Sequence, residues 1–173
     1  MPHLSLALLG PFQTTVDGQP VTGWKSNKIK ALLAYLAVEA DQPHPRGILA
    51  GLLWPDYPNA SALSNLRNAL SDLRQAISDR QADPPFLLIT RETIQLNTAS
   101  DHALDLEGLQ DLRGLDVDRL EQTVALYRGG FLEGFSCDSA PFEEWVLVKR
   151  EQIRRQMMAA LGDNLLEAIR RKT

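Results

Sequence analysis

The sequence predicts a mainly α-helical chain with a small β content. Residues 1–100 read as a winged helix-turn-helix, with an N-terminal antiparallel sheet, three helices and a C-terminal β-hairpin wing. Residues 101–173 read as an α-helical, tetratricopeptide-like domain. Three observations carry this. Apolar residues recur at helical spacing in three successive segments between Asn27 and Ser78. The breaker Asp83-Pro84-Pro85 follows and leads into two short β-rich runs, while strand-length apolar segments punctuated by Gly and Pro come before the helices.

In order, Leu4 to Leu9, Phe12 to Val16 and Val21 to Trp24 form a strand-turn-strand-turn-strand pattern, divided by Gly10-Pro11 and by Asp17-Gly18-Gln19-Pro20. Phe12 and Trp24 read as core or interdomain anchors, because isolated rings beside apolar strands are usually buried. The first helix presents Ile29, Leu32, Leu33 and Leu36 at i, i+3, i+4, i+7 spacing, with Ser26 or Asn27 as N-cap, and Pro43 and Pro45 end it. A second, shorter helix starts at Pro45, turns Ile48, Leu49, Leu52 and Leu53 inward and stops at Pro55. The third runs from about Asn59 to Ser78 with Leu63, Leu66, Leu70, Leu73 and Ile77 on its apolar side, joined by Ala62, Ala69 and Ala76. The hairpin then spans Phe86 to Thr90 and Thr93 to Asn97.

At about 100° per residue the opposite side of the third helix is polar. It carries Ser64, Arg67, Asn68, Ser71, Arg74, Gln75 and Ser78 along one edge, with Asn65 and Asp72 further round. Such side chains bond both phosphate oxygens and base edges, and in a helix-helix-helix-hairpin context this face reads as a double-stranded DNA recognition surface rather than a solvated flank. Arg67, Asn68 and Ser71 are the candidates for the groove and Ser64 and Arg74 for phosphate or flanking contacts, with Gln75 a further DNA-binding candidate on the same edge. Asp72 repels phosphate by the physics that makes Arg attractive; it either accepts a bond from a cytosine amino group or lies off the DNA. At the wing turn, Thr90 and Arg91 are placed to enter the minor groove or to bond phosphate, the alternative for Arg91 being an exposed turn charge. Lys25, Lys28 and Lys30 of the first helix lie near a duplex backbone or serve solubility.

The second region opens with the extended segment Asp101 to Leu106 and a helix near Leu106 to Leu112. A helix follows from about Asp116 to Tyr127, with Leu120, Val124 and Tyr127 on one face and Gly129-Gly130 as C-cap. The last helix takes Ser139 as N-cap and Pro141 as first residue, with Glu143 and Glu144 complementing the dipole. Phe142, Val146, Ile153, Met157 and Leu161 make one stripe, and Trp145 and Val148 begin another. A helix apolar on two sides expects neighbours on both, which points to a chain cut within a helical-repeat array or to a dimer interface.

Several motifs together resemble the SARP-type bacterial transcriptional activators. Gly10-Pro11, Asp17-Gly18, the Lys28-to-Leu36 helix, Leu53-Trp54-Pro55-Asp56, Asn65-Leu66-Arg67 and Leu73-Arg74 resemble their N-terminal half. Tyr127-Arg128-Gly129-Gly130, Phe131-Leu132 and Phe142-Glu143-Glu144-Trp145 resemble the bacterial transcriptional activator domain that follows it. The resemblance implies an OmpR-type winged helix, an activator that binds direct-repeat promoter sites, and contact with RNA polymerase. Asp56 and Tyr57, in the loop between the second and third helices, are the polymerase-contact candidates it implies.

Composition bounds the rest. The 173 residues, 44% of them hydrophobic, suffice for two small domains. No stretch approaches the roughly 18 apolar residues of a membrane span and no leader pattern opens the chain, so a soluble, cytoplasmic protein is expected. The lone cysteine, Cys137, is assigned packing and no chemistry. No nucleotide, hydrolase or metalloprotease motif occurs and His3, His44 and His102 are scattered, so no enzyme activity, cofactor or metal is expected. Residues 1–100 hold eight basic and eight acidic side chains, and residues 101–173 ten and fourteen, which places the whole net charge of −4 in the second region. Nonspecific DNA affinity should therefore be weak, and useful binding should need a homodimer or a DNA-assisted dimer on adjacent sites. A winged helix acting as a protein-interaction scaffold without DNA is the rival reading, favoured by the neutral first half and by Asp72.

Overall fold

The computed structural model describes residues 2–109, 118 and 128–172 of the chain. Strands β1 (Leu4–Ala7), β2 (Gln13–Val16) and β3 (Gln19–Pro20) open the chain. The expected third strand over Val21–Trp24 is displaced to β3. The reason is the Asp17-Gly18 turn, where both residues have positive φ (53° and 79°), the geometry of a two-residue hairpin, which sets Gln19 against Val16 and Pro20 against Thr15. Helices α1 (Asn27–Val38), α2 (Arg46–Leu53) and α3 (Asn59–Ala76) follow. Strand β4 (His44–Pro45) precedes α2, and β5 (Leu87–Ile89) and β6 (Thr93–Leu96) form the wing hairpin. Strand β7 is His102–Leu104, and α4 is Ala140–Lys172.

Two sheets result. One has the order β3-β2-β1-β7, with β7 parallel to β1, so the N-terminal sheet takes a strand from beyond residue 100. The expected helix at Leu106–Leu112 is a 3-10 turn over Asp105–Leu109, and the expected helix from Asp116 to Tyr127 lies, apart from Asp118, outside the described residues. The other sheet has the order β4-β6-β5. Its pairing corrects the start of α2. His44 and Pro45 lie opposite Ile94 and Thr93, Pro45 is extended (ψ 138°), and the helix begins one residue later at Arg46.

The three N-terminal helices share one core. Ile29, Leu32, Leu33 and Leu36 of α1, Leu49 and Leu53 of α2, and Leu66, Leu70 and Leu73 of α3 are buried, together with Ile77 just beyond α3. Ile48, expected inward, is 60% exposed, because α2 turns the Leu49 and Leu53 side to the core and Ile48 lies about 100° round from it. Ser78 has left α3 and sits in the left-handed region (φ 58°).

The second region is sewn onto this core. Arg128 N–H bonds the Leu9 carbonyl, Leu132 N–H the Leu8 carbonyl and Gly10 N–H the Gly130 carbonyl, at 3.0, 2.9 and 3.0 Å. Gly10 is required there: its φ is +120°, and a Cβ would meet Arg128 Cβ at 2.9 Å. The Asp105 carboxylate accepts the Leu8 and Leu9 N–H groups at 2.9 to 3.0 Å; its burial raises its pKa, and those N–H donors oppose the rise. On α4, Phe142, Val146, Ile153 and Met157 are buried as one stripe, while the side chain of Leu161 lies outside the described residues. The second stripe is corrected in part. Trp145 packs against Tyr35, Phe131 and Phe142, whereas Val148 is exposed with Leu147 and Met158. Helix α4 begins at Ala140, so Pro141 is its second residue, and the Ser139 hydroxyl, expected to cap it, instead donates to the Leu52 carbonyl of α2 at 2.5 Å. Phe12 stacks on Phe135 (6.0 Å) and meets Trp24 edge-on (5.7 Å), the anchoring role expected of both. No helix among the described residues is long and apolar enough to cross a membrane.

Candidate nucleic-acid interface

Helix α3 turns its apolar side into the core and leaves Ser64, Arg67, Asn68, Ser71 and Gln75 exposed. These five share the solvent face because they fall at i, i+3, i+4, i+7 and i+11, one side of a helix. Five of the seven residues of the expected polar edge thus form one exposed face; Arg74 and Ser78 are half-buried and leave it. Arg67 lines a cleft of about 570 Å³ bounded by the start of α2, by α3 and by the wing turn, with Pro45, Arg46, Gly47, Leu63, Arg91 and Glu92 around it. Arg46, Arg67, Arg91 and Glu92 thus line one concave wall, three cationic residues to one anionic, a balance suited to an anionic ligand.

The wing tip is held in shape from within. Thr90 N–H bonds the Thr93 carbonyl at 2.9 Å, and the Thr90 hydroxyl accepts the N–H groups of Glu92 and Thr93 at 3.2 and 2.9 Å. Thr90 is therefore a turn-forming residue that presents Arg91 at the exposed tip. Arg46 was not anticipated. Its Nη2 and Nε donate to the Thr90 carbonyl at 2.8 and 3.3 Å, and its backbone N–H bonds the Glu92 carbonyl at 3.0 Å, tying the start of α2 to the wing. The signal was available in that Arg46 is the only charged residue of α2, placed at its first position.

Other candidates are partnered inside the protein. Arg74 Nε donates to Asp79 Oδ2 at 2.9 Å; Asp79 is buried, and its Oδ1 accepts the Leu87 N–H at 3.0 Å, so this pair ties the end of α3 to the first wing strand. Asp72 accepts Lys25 Nζ at 3.1 Å. Lys28 donates to the Leu53 carbonyl and lies over the Trp54 ring, and Lys30 lies over Phe12 at 5.7 Å. Asp56 and Tyr57 are exposed in the α2–α3 loop, away from this cleft's lining. Cys137 is buried, and burial pushes its thiol up to about 11, the state of an inert thiol. No group of three or more His, Cys, Asp or Glu side chains arranged to hold a metal occurs among the described residues.

This architecture matches a solved structure, Mycobacterium tuberculosis EmbR in complex with a low affinity phosphopeptide, at a TM-score of 0.59 and 21% identity over 96% of the present chain. The fold is EmbR-like. The likeness supports the SARP-like architecture expected from the sequence motifs. The chain spans 44% of the length of that structure. No family model matches the chain, and no curated protein matches it by sequence.

Proposed function

We propose that the protein is a sequence-specific DNA-binding transcription regulator of the SARP type, an activator that reads direct-repeat promoter sites as a dimer and contacts RNA polymerase. The observation that carries this is the pairing of an exposed Ser/Arg/Asn/Gln face on α3 with a cleft that brings Arg67 and Arg91 onto the same side as the wing tip. In this reading α3 enters the major groove, with Arg67, Asn68 and Ser71 at base edges and Ser64 and Gln75 at its flanks. Arg91 contacts the minor groove or a phosphate, while Arg46, Thr90 and Arg74 position the elements that bear the contacts. The exposed Asp56 and Tyr57 form the polymerase-facing loop.

The near-neutral first half makes the nonspecific term small, so specificity rests on base contacts and on two copies acting together. Selection of bound duplexes from a random pool tests the proposal, followed by affinity against salt for the parent, Arg67→Ala and Asn68→Ala. Enrichment of a repeated motif, weakened by both changes and by salt, is the expected result. Failure of folded protein to enrich any sequence at low salt overturns it in favour of a protein-binding scaffold, which the neutral charge and the Lys25-bonded Asp72 favour.

A further inference from the structure

We propose that Lys149 and Trp145 of α4 are positioning residues for the wing, acting through one chain segment, residues 39–46, without touching the ligand; this rests on the DNA-binding reading above. The segment starts at a three-way junction. Glu39 Oε1 accepts Lys149 Nζ at 2.8 Å and Trp145 Nε1 at 3.1 Å, and Tyr35 packs on the Trp145 ring at 4.9 Å between centroids. Lys149 and Glu39 expose only 25% and 22% of their side chains, so the pair is largely shielded from water and screening ions.

Glu39 caps α1, its N–H bonding the Tyr35 carbonyl, and its own carbonyl accepts His44 Nε2 at 2.6 Å. A carbonyl can only accept, so Nε2 bears the proton and the ring is oriented. His44 is 4% exposed and meets Tyr35 edge-on, which makes Tyr35 a shared wall for His44 and Trp145. From His44 the chain passes directly into the wing sheet. His44 and Pro45 pair with Ile94 and Thr93, Gln95 Nε2 holds the Ala40 carbonyl at 2.9 Å, and Arg46 grips the Thr90 carbonyl and Glu92 at the turn.

Every link in this series is a hydrogen bond, strand pairing or ring contact between residues adjacent in space. Among the described residues the wing sheet has the order β4-β6-β5, and β4, the strand outside the hairpin, comes from this segment. Loosening the junction therefore releases the strand against which β6 is registered, and with it the orientation of Arg91. The carrier is a contiguous packed network, the physical requirement for one region to act on another.

Hydrogen exchange by mass spectrometry on the full chain tests this in the parent, Lys149→Gln and Trp145→Phe, the last keeping a ring while deleting the indole donor. The expected result is faster exchange over residues 87–96, on the order of tenfold for loss of a hydrogen bond to a charged group, with β1 and β2 unchanged. In parallel, operator affinity falls several-fold in Lys149→Gln, and Arg91→Ala costs less in that background than in the parent. Unchanged wing exchange, or a uniform rise across β1, β2 and α3, overturns the proposal, since a merely structural role loosens the whole fold. Selective loosening of the wing in a protein that binds no duplex sustains the positioning role and overturns the DNA-binding reading instead.

Discussion

The α1–α4 seam and the α3–wing cleft both gather cationic side chains, and they treat them in opposite ways. At the seam Lys149 is bonded to Glu39, and Arg150 donates to the Phe131 carbonyl at 3.1 Å. At the cleft Arg67 and Arg91 are exposed and have no partner among the described residues. Among the described residues, these two cations on one concave wall lack the internal partner that the seam cations have, and the DNA-binding proposal rests on that contrast. The contrast sorts side chains of one type by role: Arg74 and Arg46 belong with the seam cations, because each is bonded across two elements.

Substitutions on the two sides should separate accordingly. Phe142→Ala at the seam removes a fully buried ring packed on Phe135 and Trp145, with an expected loss of about 3–5 kcal/mol in urea unfolding. Next is Asp79→Ala, which strips a 1%-exposed carboxylate from Arg74 and the Leu87 N–H; a loss of about 3 kcal/mol is expected by the same measurement, placing the root of the wing with the seam. A loss below about 0.5 kcal/mol would show that Arg74 is not committed to this pair and would restore it as a phosphate-contact candidate.

Smaller again is the Glu39–Lys149 pair. Burial would raise the Glu39 pKa, and the Lys149 and Trp145 hydrogen bonds outweigh it, so the carboxyl titrates below its ordinary 4.5. A lowered folded value means that the contribution is whole above the ordinary pKa and is lost as pH falls through the folded one. The stability gap between parent and Lys149→Gln should therefore be about 1 kcal/mol near neutrality and should narrow as the pH falls below the ordinary 4.5 of a glutamate. A gap independent of pH would show that Lys149 acts by packing its alkyl stem alone. Smallest in stability are Arg67→Ala and Arg91→Ala, expected within about 0.5 kcal/mol of the parent while each lowers the salt slope of duplex binding by up to about one if it touches phosphate. Destabilisation by either would erase the distinction between seam and cleft.

Much of the fold was legible because it is written in local periods. The leucine stripes placed α1, α2 and α3 within a residue or two, and the polar edge of α3 emerged exposed at Ser64, Arg67, Asn68, Ser71 and Gln75. Several departures come from pairing with residues distant in sequence, while others are local, as at the Asp17-Gly18 turn and at Asp79, five residues beyond Arg74. Pro45 is a strand residue because Thr93 lies opposite it, and Ser139 forgoes its cap because the Leu52 carbonyl is within reach. Arg74 looked equivalent to Arg67 by spacing until Asp79 folded back beneath it.

Periodicity and breakers, which depend on neighbours within a turn or two, by themselves determined the helices α1, α2, α3 and α4, the wing hairpin and the polar side of α3, but not the 3-10 turn at Asp105–Leu109. Only the tertiary structure decided that β7 joins the N-terminal sheet, that Arg46 holds the wing, and which cations remain unpaired among the described residues. The first two depend on groups far apart in sequence meeting in space, as the Arg46 guanidinium and the Thr90 carbonyl (44 apart) and the Leu8 N–H and the Asp105 carboxylate (97 apart) do. No local pattern encodes such meetings; they arise where buried polar groups must find partners once the helices and sheets have packed.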